Sequence, residues 1–228
     1  MYKVFLTCVL ICSLSVAAFA QEENKPAISE PASPEMAAVE TAASLARYGY
    51  SNYSASALIG AAEILSQVST QAFVPEGVER DAAADNAAAK AGKCDLSVAC
   101  LIADAKTYAA GNATMLAWAE SVEKSAAQGS TRGAVGGPKF ARARVSSNST
   151  VTYRINFRAG ELAEVIVDGD GDTDLDVYIY DSNGNFITSD EDYTDYCVTR
   201  WRPRWTGTFL IKIKNWGNVY NEYRLWTN

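Results

Sequence analysis

The chain of 228 residues contains no histidine. That removes catalytic arrangements built on an imidazole, Ser-His-Asp and Cys-His included, and the zinc patterns that count on one. Cys-x-x-Cys spacing and a Gly-rich phosphate loop are missing as well. One Ser-x-x-Lys occurs, Ser121 to Lys124, but without the Ser-Asp-Asn and Lys-Thr-Gly partners of that chemistry, so it reads as a solvated helix face. An excess of basic charge is lacking too. Lys and Arg total 20 against 27 Asp and Glu, a formal net charge of −7. Nucleic-acid phosphates demand a basic surface, so nucleic acid is excluded as a partner class.

Long apolar runs are also absent. The longest, Val4 to Val16, falls short of the roughly 20 residues that span a bilayer. It follows a lone cation, Lys3, and precedes Ala18-Phe19-Ala20, with small residues at the first and third places before a cut. Residues 1–20 therefore read as a signal peptide, and the chain as exported to the periplasm or beyond, with no membrane span after cleavage. Cys12 follows Ile11, where a lipidation site wants a small residue. Loss of the leader removes the +1 of Lys3 and leaves a charge of −8, with three cysteines, Cys94, Cys100 and Cys197. In an oxidising compartment Cys94 and Cys100 are a candidate disulfide, with Cys197 left over; three unpaired thiols are the alternative.

Residues 21–34 are polar, hold Pro26, Pro31 and Pro34, and read as a disordered leader. Residues 35–128 are rich in Ala and read as a helical domain of hairpins. Ser33-Pro34-Glu35 is a helix start, with a stop expected near Gly49. Ser54 caps a second helix whose Ala55, Leu58, Ile59, Ala62 and Leu65 form one stripe. Pro75 and Gly77 break the pattern, and 79–93 reads as a marginal helix or a connector. Val98, Leu101, Ile102, Ala105 and Tyr108 mark a third helix; Asn112 caps a fourth carrying Leu116, Ala119 and Val122. Residues 129–138 are a Gly-rich linker.

From Lys139 the period changes to two. Val151, Tyr153, Ile155 and Phe157 alternate with polar residues, and so do Leu175, Val177 and Ile179, then Phe209, Ile211 and Ile213. Turn signals at Gly160, Gly169 to Gly171, Asn183-Gly184, Gly207 and Gly217 separate the runs. Residues 139–228 thus read as an antiparallel β-sandwich of about eight strands. The fold class expected is α+β by segregated modules, Ala-rich helical hairpins followed by a sandwich.

Residues 168–185 read DGDGDTDLDVYIYDSNGN; Trp205 to Ile213 read WTGTFLIKI; Tyr223 to Leu225 close with YRL. An Asp before an apolar strand (Asp174 to Asp181), an Asn183-Gly184 turn, the Gly207-Thr208-Phe209 strand and the final Tyr223-x-Leu225 strand together resemble the bacterial pre-peptidase C-terminal (PPC) domain. The resemblance covers about residues 139–228. It implies a jelly-roll-like sandwich on a secreted protein, of a kind usually appended to secreted proteases and linked to secretion or adhesion. Relatives in collagen-binding modules hold calcium. Here an Ala-rich helical segment precedes the sandwich where a protease domain is usual.

Two constellations carry the candidate chemistry. Asp168, Asp170, Asp172, Asp174 and Asp176 fall on one face of an extended chain, and calcium takes six to eight oxygens; the alternative is a solvated acidic loop. The spacing is not that of an EF-hand, whose sixth and twelfth places here hold Thr173 and Ile179. Trp201, Trp205, Trp216, Tyr220 and Arg224, with Arg200, Arg202, Arg204 and Trp226 beside them, are a candidate ligand face for sugar rings or a protein; the alternative is core Trp under Arg stems. The function expected is a non-catalytic exported binding or structural module with a helical docking segment and a protein partner or envelope polymer. Carbohydrate binding through the Trp/Arg face, and an accessory or secretion role for a secreted protease, are the alternatives.

Overall fold

The computed structural model describes residues 31–74, 76–81, 94–129 and 137–228. The expected signal peptide, most of the leader, the stretch 82–93 and most of the Gly-rich linker lie outside the described residues.

Four helices come from the Ala-rich half. In α1 (Pro34–Asn52) an extended Ser33 precedes Pro34, and Glu35 sits in the first turn, as the sequence predicts. The helix runs past Gly49 and ends only at Tyr53, whose φ of 52° is left-handed. Gly49 serves close packing rather than termination: a Cβ there would stand 2.5 Å from Leu58 Cδ2. α2 (Ala55–Gln67) starts on the Ser54 hydroxyl, which accepts the Ala57 N–H. α3 (Val98–Tyr108) starts on Ser97, and α4 (Ala113–Gly129) on Asn112, whose Oδ1 accepts the N–H groups of Thr114 and Met115. α2 lies centrally and touches the other three. The small faces of Ala43, Ala46, Ala61, Ala62 and Ala105 are fully buried in these contacts.

Between α2 and α3, where the sequence predicts a break at Pro75 and Gly77 and then a marginal helix or connector, the chain forms strands instead. β1 (Gln71–Ala72) and β2 (Glu76–Arg80) are short strands. Eight more follow, the number expected: β3 (Lys139–Val145), β4 (Thr150–Phe157), β5 (Ala163–Asp168), β6 (Leu175–Asp181), β7 (Phe186–Asp190), β8 (Tyr196–Trp201), β9 (Gly207–Asn215) and β10 (Asn221–Thr227). They form two five-stranded sheets, β1-β3-β10-β5-β8 and β2-β4-β9-β6-β7. Every pairing is antiparallel except β1 with β3. The detour between helices thus donates one edge strand to each sheet.

The inner faces of the two sheets enclose one core. Val151, Tyr153, Ile155 and Phe157 from β4 meet Val165 and Val167 from β5, with Val177, Ile179, Phe209, Ile211 and Leu225. The buried Tyr153 and Tyr223 hydroxyls bond to each other, which removes the cost of two unpaired polar groups. The outer face of the first sheet is covered as well. Ile166 and Trp226 project into the helical core beside Met36, Val39, Leu58, Leu101 and Ile102, with Phe140, Tyr196 and Val198 packed at its margin. All six residues of β5 are consequently buried. The arrangement is α+β in three layers: helices, sheet, sheet.

Trp226 stands 3 % exposed between sheet and helices and stacks on Phe140 at 5.1 Å. Trp226→Ala is expected to lower stability by about 3–5 kcal/mol. Far-UV circular dichroism and tryptophan fluorescence should still report one common unfolding transition in denaturant, because helices and sandwich share this core. Two separated transitions in the unmutated chain would mean that the layers fold independently.

Candidate functional site

The Asp-rich turn joins β5 to β6, and its carboxylates go to separate partners. Asp168, the last residue of β5, is buried between two guanidinium groups: Arg224 Nη2 donates at 2.7 Å and Arg47 Nη1 at 3.1 Å. Asp170 accepts the N–H groups of Asp172 and Glu222. Asp176 is also buried and accepts from the Tyr178 hydroxyl and the Trp216 indole. Asp172 is exposed. Asp174 places Oδ1 in the interior with no hydrogen-bond partner.

Hydrogen bonds from the chain itself tie the turn down. Gly171, at a φ of +82°, donates its N–H to Asp195, and the Asn221 side chain accepts from Asp170 and donates to Thr173. A Cβ on Gly169 would fall 2.3 Å from Asp195 Oδ2. Of the five expected calcium ligands, Asp168 is engaged by Arg224 and Arg47 and Asp176 by Tyr178 and Trp216, and no three of the five bring carboxylate oxygens within 4.8 Å of one another.

The expected ligand face is likewise dispersed. Trp201 is 1 % exposed and packs in the sandwich core, 4.8 Å from Phe157 and 5.5 Å from Phe209. Arg224 is buried. Trp205 and Tyr220 are half-buried, with Arg144 above the Tyr220 ring. Trp216 is exposed but anchored by Asp176, with Lys214 over its ring. Alternation along β8 turns Trp201 into the sandwich core, whereas Arg224 lies on the outer face of β10, between Tyr223 and Leu225, and is buried there against Asp168 and Cys94.

Residues that the sequence does not connect come together beside the turn. Arg224 donates to Asp168, to the Gly169 carbonyl at 2.8 Å and to the Cys94 carbonyl at 2.9 Å. It thereby joins β10, the Asp-rich turn and the segment entering α3. Two hollows of about 590 and 690 Å³ share Cys94, Asp170 and Arg224 in their walls. The first is completed by Arg47 and Tyr50 of α1 with Asp104 of α3. The second is completed by Arg80, Arg142, Arg144 and Glu222. Arg142 pairs with Asp95, and Arg80 donates to the Arg144 carbonyl. The cleft thus carries both signs of charge. No local sequence signal marks Arg47, Arg80 or Arg142, because stretches of chain remote from one another supply the walls.

Cys94 and Cys100 are free thiols, so the expected bridge is not closed. Their Sγ atoms and a carboxylate oxygen of Asp104 lie within 4.8 Å of one another. The Tyr50 hydroxyl donates to Asp104 Oδ2 at 2.9 Å. Burial first, and then Cys100, pushes the Cys94 thiol up to about 12. Cys197 is separate and buried; its thiol donates to the Leu175 carbonyl, and burial raises it further.

No family model and no curated protein matches the chain. Among solved structures, the pre-peptidase C-terminal domain of collagenase from Bacillus anthracis aligns at 10% identity, over 39% of this chain and 87% of that one, with a TM-score of 0.33. PliG from Aeromonas hydrophila, a periplasmic inhibitor of g-type lysozyme, aligns at 11% identity, over 40% of this chain and 84% of that one, with a TM-score of 0.32.

Among the described residues, four carboxyls lie above the usual carboxylate range. Burial raises Glu164, Asp168, Asp174 and Asp190, and outweighs the pull of Arg224 and Arg47 on Asp168. Asp95 moves the other way, because bonds from Ser97 override its burial. An acid raised in the fold binds more protons folded than unfolded. It favours the fold fully below its ordinary value of about 4 and loses that contribution as pH climbs through the raised value. The melting temperature should therefore increase as pH is lowered from neutral toward the ordinary carboxylate value of about 4. A fall over that interval would show that ionised pairs such as Asp168 with Arg224 dominate instead.

Proposed function

We propose that the chain is a non-catalytic, exported binding module whose contact surface is the cleft between the helical layer and the Asp-rich turn. The observation that carries this reading is the wall of that cleft. Arg224 fixes three of its parts with hydrogen bonds, two of them buried, so the surface is organised before any partner arrives. Paired charges of both signs line the wider hollow, which suits a polar protein segment better than an apolar ligand. The Trp/Arg sugar face is not carried forward, since Trp201 is in the core and Arg224 in the interior. A protease-accessory role differs from this reading only in the identity of the partner.

The test is affinity capture from the envelope fraction of the source cells with the unmutated chain and with Arg80→Glu/Arg142→Glu. Both side chains lie at the cleft, so the variant should keep its circular dichroism spectrum and lose the captured species. Equal recovery of the same species by both proteins would place binding elsewhere.

Calcium enters this proposal in a narrower form than the five-Asp set. The orphan Oδ1 of Asp174 lies in the field of Asp176, Asp192 and Asp195, which, after burial, raise its carboxyl. A cation at that rim would relieve the repulsion. Excess calcium should then increase the melting temperature relative to chelator, and Asp174→Asn should abolish the increase. Identical melts with calcium and chelator would remove calcium from the reading.

A further inference from the structure

The cluster of Cys94, Cys100 and Asp104 is built from two directions. Cys100 and Asp104 sit four residues apart in α3 and so share one face of the helix. The Ser97 hydroxyl holds the Cys100 N–H and anchors that turn. Cys94 approaches from the segment before α3, and Arg224 fixes its carbonyl from the sandwich side. Leu96, with φ of 52°, turns the chain between them. Tyr50 reaches across from α1 and orients the Asp104 carboxylate. The two sulfurs and the carboxylate oxygen lie within 4.8 Å of one another, the one such triple of metal-binding side chains among the described residues.

Ligands around a tetrahedral zinc, at ~2.3 Å for sulfur and ~2.0–2.2 Å for oxygen, stand roughly 3.5–3.8 Å apart. The three donors need only close inward to reach that spacing. We propose that Cys94, Cys100 and Asp104 form a binding site for a thiophilic divalent cation, zinc above all, with the fourth position open toward the cleft. On binding, each thiol releases its proton to solvent and both sulfurs ligate as thiolates. Two sulfurs select against calcium and magnesium, which take oxygen ligands. A disulfide would consume the sulfurs and leave the Tyr50-oriented carboxylate without a role; zinc employs all three side chains, and its coordination shields the thiolates from oxidation. Tyr50 acts as a positioning residue through its bond to Asp104.

The proposal rests on this geometry and not on the protein-binding reading. Its test uses the whole chain, purified without reductant, freed of metal with chelator, and titrated with zinc or cadmium alone. One equivalent should bind, with a sulfur-to-cadmium charge-transfer absorbance. Zinc should protect Cys94 and Cys100 of the unmutated chain from alkylation. Cys100→Ser should lose the absorbance, and Asp104→Asn should weaken zinc binding at least tenfold. Tyr50→Phe should weaken it about 10–100-fold with the stoichiometry unchanged.

Circular dichroism separates these effects from loss of fold, and the alkylation readout requires no variant. Three results would overturn the site: an intact mass two hydrogens short with Cys94 joined to Cys100, alkylation indifferent to zinc, or Asp104→Asn binding as tightly as the unmutated chain.

Discussion

The buried guanidinium of Arg224 is the joint on which the molecule depends. It comes from the last strand, bonds the carboxylate that ends β5, the carbonyl that opens the Asp-rich turn, and the carbonyl of Cys94 ahead of α3. A charge taken out of water is costly unless a counter-charge and hydrogen bonds meet it. Here Asp168 supplies the counter-charge and two carbonyls take further donors. The satisfaction is incomplete, since Arg224 Nε is left without a partner. Arg47 adds a second cation to Asp168 while lying 3.6 Å over the Tyr196 ring, which extends the joint to α1 and β8. Glu164 repeats the device at the other end of β5, accepting from Ser33 and from Arg200, which also pairs with Glu40. Helices and sheet are therefore joined by polar bonds at both ends of one strand and by Ile166 and Trp226 in between.

Much of the fold was legible because local physics decides it. Caps at Ser54 and Asn112, Pro34 at the first turn and the strict alternation of β4, β6 and β9 each act within a few residues. β5 was harder. Its run from Ala163 to Asp168 is buried on both sides, the pattern of a strand covered on two faces. The helical covering that explains this comes from a stretch read as a separate module. β1 and β2 left no signal: two residues, or five interrupted by a register shift, are strands only because β3 and β4 offer them an edge.

The site was less legible than the fold. Alternate Asp residues share a face only while the backbone stays extended, and the left-handed Gly171 and the close approach at Gly169 end that condition. Asp168 then turns to the helices, whereas Asp176 belongs to β6 and meets Trp216. The aromatic and basic residues near the C-terminus were divided by the same alternation that identified their strands. Cys94 and Cys100 were visible as a pair; Asp104 and Tyr50 beside them were not, because neither carries a motif.

The two short strands that leave the helical half have a consequence for biosynthesis. A ribosome delivers the chain from its N-terminus, so β1 and β2 emerge before the strands they will flank. When β3 and β4 appear, the segments that occupy their outer hydrogen-bonding edges are already tethered close by. A nascent sandwich is most exposed to intermolecular pairing while such edges are open. Here one flank of each sheet has part of its cover waiting, whereas β7 and β8 are themselves the outer strands of the opposite flank.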